Sequence, residues 1–207
     1  MATLLLCSGG SAFELLRDLD PRSFDAPLTV GVLDERFRED PFVNNFAQLR
    51  QTDFFQRATR VGASFIDTRV TVGESLEELA QRFERALREW RRENPDGKII
   101  VTMGIGKDGH TAGIIPDNDD PVAFYELFDD SMHWVVGYDA GNRSPFPFRV
   151  TVTFPFLRTQ VSRALVYAKG EEKQWAIKMI QADVGSLNQI PARIIREINL
   201  VEPHYDV

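Results

Sequence analysis

Two rhythms of apolar and polar positions take turns along the chain. Short apolar runs at residues 3–7, 28–33, 98–103 and 164–169 read as buried strands, each bounded by glycine or charged residues. Residues 64–67, 134–138 and 148–154 are further strand candidates. Helical spacing covers 12–19, 43–50, 74–92 and 171–182. The third of these is the clearest, with Leu76, Leu79, Phe83, Leu87 and Trp90 on one face and mostly Glu, Arg and Gln between them. Ser75 and Glu78 predict a capping box at its start, and Asn94-Pro95-Asp96-Gly97 ends it. Residues 139–147, rich in Gly, Asn, Ser and Pro, read as a mobile loop.

Strands alternating with helices predict an α/β fold, with a mostly parallel central sheet and helices on both faces. No internal repeat or linker interrupts the pattern, so residues 1–207 are expected to form a single domain. In such sheets a ligand sits beyond the carboxyl ends of the strands. Three polar clusters follow predicted strands, which makes that end of the sheet the place to look.

Charge and cysteine content narrow the partners. With 24 Lys and Arg against 31 Asp and Glu, the formal net charge is −7, a poor match for nucleic acid. Any anionic ligand must be held by a local group of cations. A single cysteine, Cys7, excludes an internal disulfide and a cysteine-based zinc site, and fits a reducing cytoplasm. No run approaches the ~18 apolar residues of a membrane span. Three scattered histidines lack metal-ligand spacing, so no metal is expected.

The first cluster, Ser8-Gly9-Gly10-Ser11, joins a strand to a helix. Glycines there let backbone amides approach an anion, and Ser11 adds a hydroxyl. A turn that merely connects two elements would have the same composition. The second, Asp34-Glu35-Arg36, closes an apolar strand and reads equally well as a solvated edge; Asn44-Asn45 beyond it suits helix capping. The third is the most informative. Within eight residues, Gly104-Ile105-Gly106-Lys107-Asp108-Gly109-His110-Thr111 places three glycines, an Asp, a His and a Thr after a buried strand. Histidine has the ordinary pKa nearest neutrality, as a general base requires, and the glycines can expose amides to an oxyanion. His133 and His204 sit in no such setting and read as structural or solvated. Arg149 and Lys173 are ordinary surface charges unless the fold brings them to the Ser8–Ser11 turn.

Taken in order, these segments resemble the 6-phosphogluconolactonases, within the superfamily that also holds the glucosamine-6-phosphate deaminases. The resemblance runs from about Thr3 to Pro191-Ala192, and the Gly104–Thr111 segment is its most specific part. It implies a Rossmann-like fold of the deaminase/lactonase type, with a small antiparallel addition. It also implies hydrolysis of the ring ester of 6-phosphoglucono-1,5-lactone, a small sugar-phosphate substrate, without metal or organic cofactor. Catalytic roles would fall to His110, Asp108 and Asp34, with His110 as the base that activates water. Glycine-loop amides, Gly106 among them, would meet the oxyanion, and Asp34 and Arg36 would line the sugar site. Gly9, Gly10, Ser11, Arg149 and Lys173 would hold the phosphate end.

The chain departs from the family pattern in three places. It starts directly at the Ser-Gly-Gly-Ser strand, where family members carry a preceding helix. Ala12-Phe13 stands where Thr-Pro is common after the phosphate turn, and Ser144-Pro145-Phe146-Pro147 replaces the usual Lys-Pro-Pro. A deaminase-type isomerase is the nearest alternative, but that branch has a Glu after Asp-Gly-His, where this chain reads Thr111-Ala112-Gly113-Ile114-Ile115-Pro116. A non-catalytic sugar-phosphate binder is the second alternative; its regulator relatives carry a DNA-binding helical segment for which this chain has no room. Oligomeric state has no signature in the sequence.

Overall fold

The computed structural model describes residues 1–207. In chain order its elements are β1 (Thr3–Cys7), β2 (Leu28–Val32), β3 (Asp34–Arg36), α1 (Asn45–Leu49), α2 (Asp53–Arg60), β4 (Ser64–Phe65) and α3 (Leu76–Glu93). Then follow β5 (Lys98–Gly104), α4 (Pro121–Phe128), β6 (Val135–Asp139), β7 (Phe148–Val152), α5 (Phe154–Gln160), β8 (Arg163–Lys169), α6 (Gln174–Gln181) and β9 (Val201–Asp206). Six strands form one sheet in the order β4-β2-β1-β5-β8-β9, and every pairing in it is parallel. Chain order therefore runs outward in both directions from the β1–β5 pair, which is the doubly wound arrangement. A second sheet, β3-β7-β6, is antiparallel.

The apolar runs are continuous because both faces of the parallel sheet are covered. Leu4 and Leu6 of β1 join Ile99, Val101 and Met103 of β5 in a large core that also takes in Val150 and Val152 of the antiparallel sheet. Leu5 and Cys7 point the other way, into a smaller core with Phe46 and Leu49 of α1 and Phe54 and Ala58 of α2. α3 forms as its spacing predicts: Leu79, Phe83, Leu87 and Trp90 are buried, and the helix packs on β6 and β7. Its capping box closes in both directions, Glu78 N–H to Ser75 Oγ at 3.2 Å and Ser75 N–H to Glu78 Oε2 at 2.8 Å.

Several elements differ from the sequence expectation. The stretch after Gly9 is a 3-10 helix, Gly10–Arg17, not an α-helix. Its apolar residues Phe13, Leu16 and Leu19 recur every three positions, which a three-residue turn aligns. The Asp34-Glu35-Arg36 segment is not a solvated edge but a strand of the second sheet, pairing with Thr151, Val150 and Arg149. The helix expected over 171–182 is a 3-10 turn, Glu171–Lys173, followed by α6. The pattern missed α2, α4, α5 and β9 altogether, all short or weakly periodic. β9 is a half-exposed edge strand with Pro203 in it, so it lacks a buried strand's apolar run. His204 lies exposed on that strand, and His133 is exposed beside Glu84. No helix is long and apolar enough to cross a membrane.

The core makes a direct prediction. Leu6 has no exposed surface, whereas Val72 is 99% exposed. Leu6→Ala should lower unfolding free energy by about 2–5 kcal/mol in urea denaturation, and Val72→Ala should change it by less than about 0.5 kcal/mol.

Candidate active site

Between β1 and β5 the two chain directions part, so the loops that follow these strands diverge and leave a crevice between them. A cavity of about 260 Å³ occupies it, of the scale of one small polar molecule. The loop after β1 supplies Gly9, Gly10 and Ser11 to its wall. β3 supplies Asp34 and Arg36, the loop after β5 supplies Gly106, Asp108 and His110, and β7 supplies Arg149. Lys173 comes from the turn after β8. Every residue to which the family resemblance gave a catalytic or binding role lines this one cavity.

His110 is held by close backbone packing. Its carbonyl accepts the Gly106 N–H at 2.8 Å, and Thr111 Oγ closes the loop onto the Gly104 carbonyl at 2.9 Å. A Cβ at Gly106 would lie 2.0 Å from His110 Nδ1, so no other residue lets the imidazole sit here. The same bond engages the Gly106 amide, which corrects its expected role as an oxyanion donor. By contrast, the Gly9 N–H has no backbone partner, and a Cβ at Gly9 would lie 2.3 Å from Asn45 Oδ1.

His110 Nδ1 lies 2.6 Å from Asp108 Oδ1, which also accepts the His110 backbone N–H at 3.2 Å. Burial pushes Asp108 up, but the bond and charge of His110, with backbone amides, outweigh it and hold the carboxyl at about 2. An ionised carboxylate only accepts, so Nδ1 carries the proton and Nε2 of the neutral ring is left as the basic atom.

Asp34 and Glu35 are both buried in β3 and face different tasks. Burial pushes Asp34 upward against the nearby charges of Arg149, Arg36 and His110 and the Asn45 hydrogen bond. Glu35 is pushed up to about 8 by burial, while accepting from the backbone N–H groups of Arg36, Asn45 and Phe46 and from the Thr68 hydroxyl. It thereby ties β3 to the start of α1 and to the segment around Thr68. Asn45 Nδ2 in turn donates to the Asp34 carbonyl at 2.9 Å.

The two expected phosphate cations differ. Lys173 is half-buried at the cavity wall and has no carboxylate partner. Arg149 is only 6% exposed. Its Nε donates to the Phe146 carbonyl at 2.9 Å, its Nη2 to Ser144 Oγ at 3.1 Å, and its Nη1 lies 3.5 Å from Asp34 Oδ2. Arg149 thus builds the wall around Asp34 with most of its donors. Arg36 stacks on the Phe146 ring at 4.6 Å and keeps a buried Nε with no partner. No group of three His, Cys, Asp or Glu that could hold a metal occurs.

The sequence from residue 2 to 201 matches the family described as glucosamine-6-phosphate isomerases/6-phosphogluconolactonase. The chain belongs to this family. No curated protein matches it in sequence. Among solved structures it is similar in fold to a 6-phosphogluconolactonase from Shewanella baltica, with TM-score 0.76, 20% identity, and 100% of this chain and 84% of that chain covered. A Thermotoga maritima 6-phosphogluconolactonase matches at TM-score 0.70 and 21% identity over 98% of this chain and 84% of that one. A third, from Trypanosoma brucei, matches at TM-score 0.67 and 22% identity, covering 96% and 82%.

Within this family framework, sequence reasoning missed part of the wall. Arg143, Ser144, Pro145 and Phe146 also line the cavity. They belong to the 139–147 stretch read as a mobile loop. Its Ser144 is buried, and Arg143 Nη1 lies 2.5 Å from Asp117 Oδ2. The Arg143 anchor has no local sequence signal, since Asp117 comes from another segment, whereas Ser144 bonds to Phe146 and Arg149 close by in the chain.

The Asp108–His110 contact sets an acid limit. Asp108 is ionised in the folded protein down to about 2, against ~3.9 when unfolded. Its contribution to stability is therefore present above the unfolded value and is lost as pH falls through the folded one. In His110→Ala, burial acts with less opposition, so carboxyl-carbon NMR should find Asp108 titrating clearly higher than about 2. An unchanged value would mean that the loop backbone, not the imidazole, holds the charge.

Proposed function

We propose that the protein hydrolyses 6-phosphoglucono-1,5-lactone to 6-phosphogluconate, with the whole chain serving as one catalytic unit. One observation carries this reading: a histidine with its Nδ1 on an ionised carboxylate shares a cavity with an unpaired lysine and an amide-rich turn. A base at one end and cations at the other suit a neutral ester that bears a remote phosphate.

In this reading His110 Nε2 takes a proton from water as the water oxygen attacks the lactone carbonyl carbon. The C1–O5 bond then breaks, and the imidazolium returns its proton to the departing ring oxygen. Asp108 is a positioning residue that fixes the tautomer and stabilises the imidazolium. With the Gly106 amide engaged, Arg36, whose side chain lines the cavity, is the donor that meets charge developing on the carbonyl oxygen. Asp34 orients sugar hydroxyls. Ser11, Lys173 and the Gly9 and Gly10 backbone hold the phosphate, and Arg149 adds charge from behind. The deaminase reading would need a second carboxylate near the histidine after Thr111; the next one, Asp117, is engaged by Arg143.

The test is the loss of freshly made lactone with and without protein, since the lactone also opens unaided. His110→Ala should fall ~10²- to 10⁴-fold, while His133→Ala should match wild type. A folded His110→Ala variant with wild-type turnover would contradict the assignment. Lys173→Ala should chiefly raise KM for the phosphorylated lactone and leave hydrolysis of an unphosphorylated lactone unchanged.

A further inference from the structure

Outside the crevice lies a larger concavity of about 1040 Å³, walled by α1, α2 and the segment around residues 67–71. Its lining is rich in donors and poor in acids: Arg38, Arg50, Arg60, Arg69 and Arg82 face two carboxylates, Glu39 and Asp67. Arg69 is paired with Asp67 at 2.6 Å, and Arg82 with Glu74 at 2.7 Å. Arg38, Arg50 and Arg60 are different. None of them comes within ion-pair distance of a carboxylate, although the chain carries an acidic excess of seven charges. Arginines elsewhere on the surface, such as Arg57 and Arg88, find acids one helical turn away.

A second observation comes from the floor of the same concavity. Asn44 is 1% exposed. Its Oδ1 caps α1 by accepting the Ala47 N–H at 2.8 Å, but its Nδ2 has no partner in the protein. A buried amide donor without an acceptor is costly, and a ligand oxygen reaching the floor would relieve that cost.

We propose that this concavity is a second binding site, for a small polyphosphorylated anion. Guanidinium forks match phosphate oxygens, and three separate unpaired cations suit more than one phosphate group. Gln51 and Gln56 add further donors. Five of the sixteen lining residues are arginines and only three are hydrophobic, a composition that suits a small charged ligand. The occupant would rest on segments that also brace the crevice. Asn44 adjoins Asn45, which holds Asp34, and Asp67 adjoins Thr68, which holds Glu35.

Calorimetric titration with inorganic tripolyphosphate tests this. Wild type should bind it saturably, and Arg38→Ala/Arg50→Ala/Arg60→Ala should weaken binding about tenfold or more, with a flatter salt dependence. All three positions are exposed, so the variant should melt like wild type; the milder Arg38→Gln/Arg60→Gln pair gives the same reading with less change. Lys173→Ala, which removes a cation of the other cavity, should leave the arginine-dependent binding in place. The proposal is overturned if wild type shows no saturable binding, if the arginine variants bind as wild type, or if Lys173→Ala abolishes the signal. Retention of a single-stranded oligonucleotide without tripolyphosphate binding would also overturn it, in favour of a nucleic-acid surface.

Discussion

The divergence of the chain on either side of the β1–β5 pair is the constraint on which the rest of the site depends. Because the connections leave these two neighbouring parallel strands in opposite directions, neither following loop can cover the gap between them. The gap is then lined by whatever the loops carry, here a Ser/Gly turn on one side and the Gly104–Thr111 segment on the other. Close backbone approach follows from the narrowness of this gap. A side chain at Gly106 would displace the imidazole, and one at Gly9 would displace Asn45.

The small antiparallel sheet closes the crevice from above by a different principle. β3 carries two consecutive acids that are both buried, which is tolerated only because each is met by donors. Glu35 accepts four hydrogen bonds and fastens three segments together. Asp34 looks into the cavity beside Arg149, whose other donors are spent on the 144–146 backbone and the Ser144 hydroxyl. In an acidic molecule, this arrangement leaves Lys173 and Arg36 as the cations with donors free for a ligand.

Much of this was legible in the sequence, for identifiable reasons. Continuous apolar runs mark strands covered on both faces, so β1, β2, β5 and β8 stood out, and α3 declared itself by its spacing and capping box. The glycine-rich histidine segment was visible because its residue types are needed within a single loop. The remainder depends on contacts between distant segments. Nothing local distinguishes Glu35 as buried, since three of its four donors lie ten and more residues away at Asn45, Phe46 and Thr68. Likewise, the ordering of the 139–147 loop depends on Arg143 reaching Asp117 in another segment. The 3-10 helix after Gly10 differs from the expected α-helix for a subtler reason: its apolar residues suit both periods over so short a stretch.

The central claim is that one crevice holds a reacting carbonyl beneath His110 and a phosphate at the Ser11–Lys173 end. A crystal structure of the protein with 6-phosphogluconate tests it most directly, because the product carries both groups. The account predicts the C1 carboxylate within hydrogen-bond reach of His110 Nε2 and Arg36, and the phosphate on Ser11 and Lys173. A product bound in the reverse sense, with phosphate against His110, or one seated outside the crevice, would contradict it.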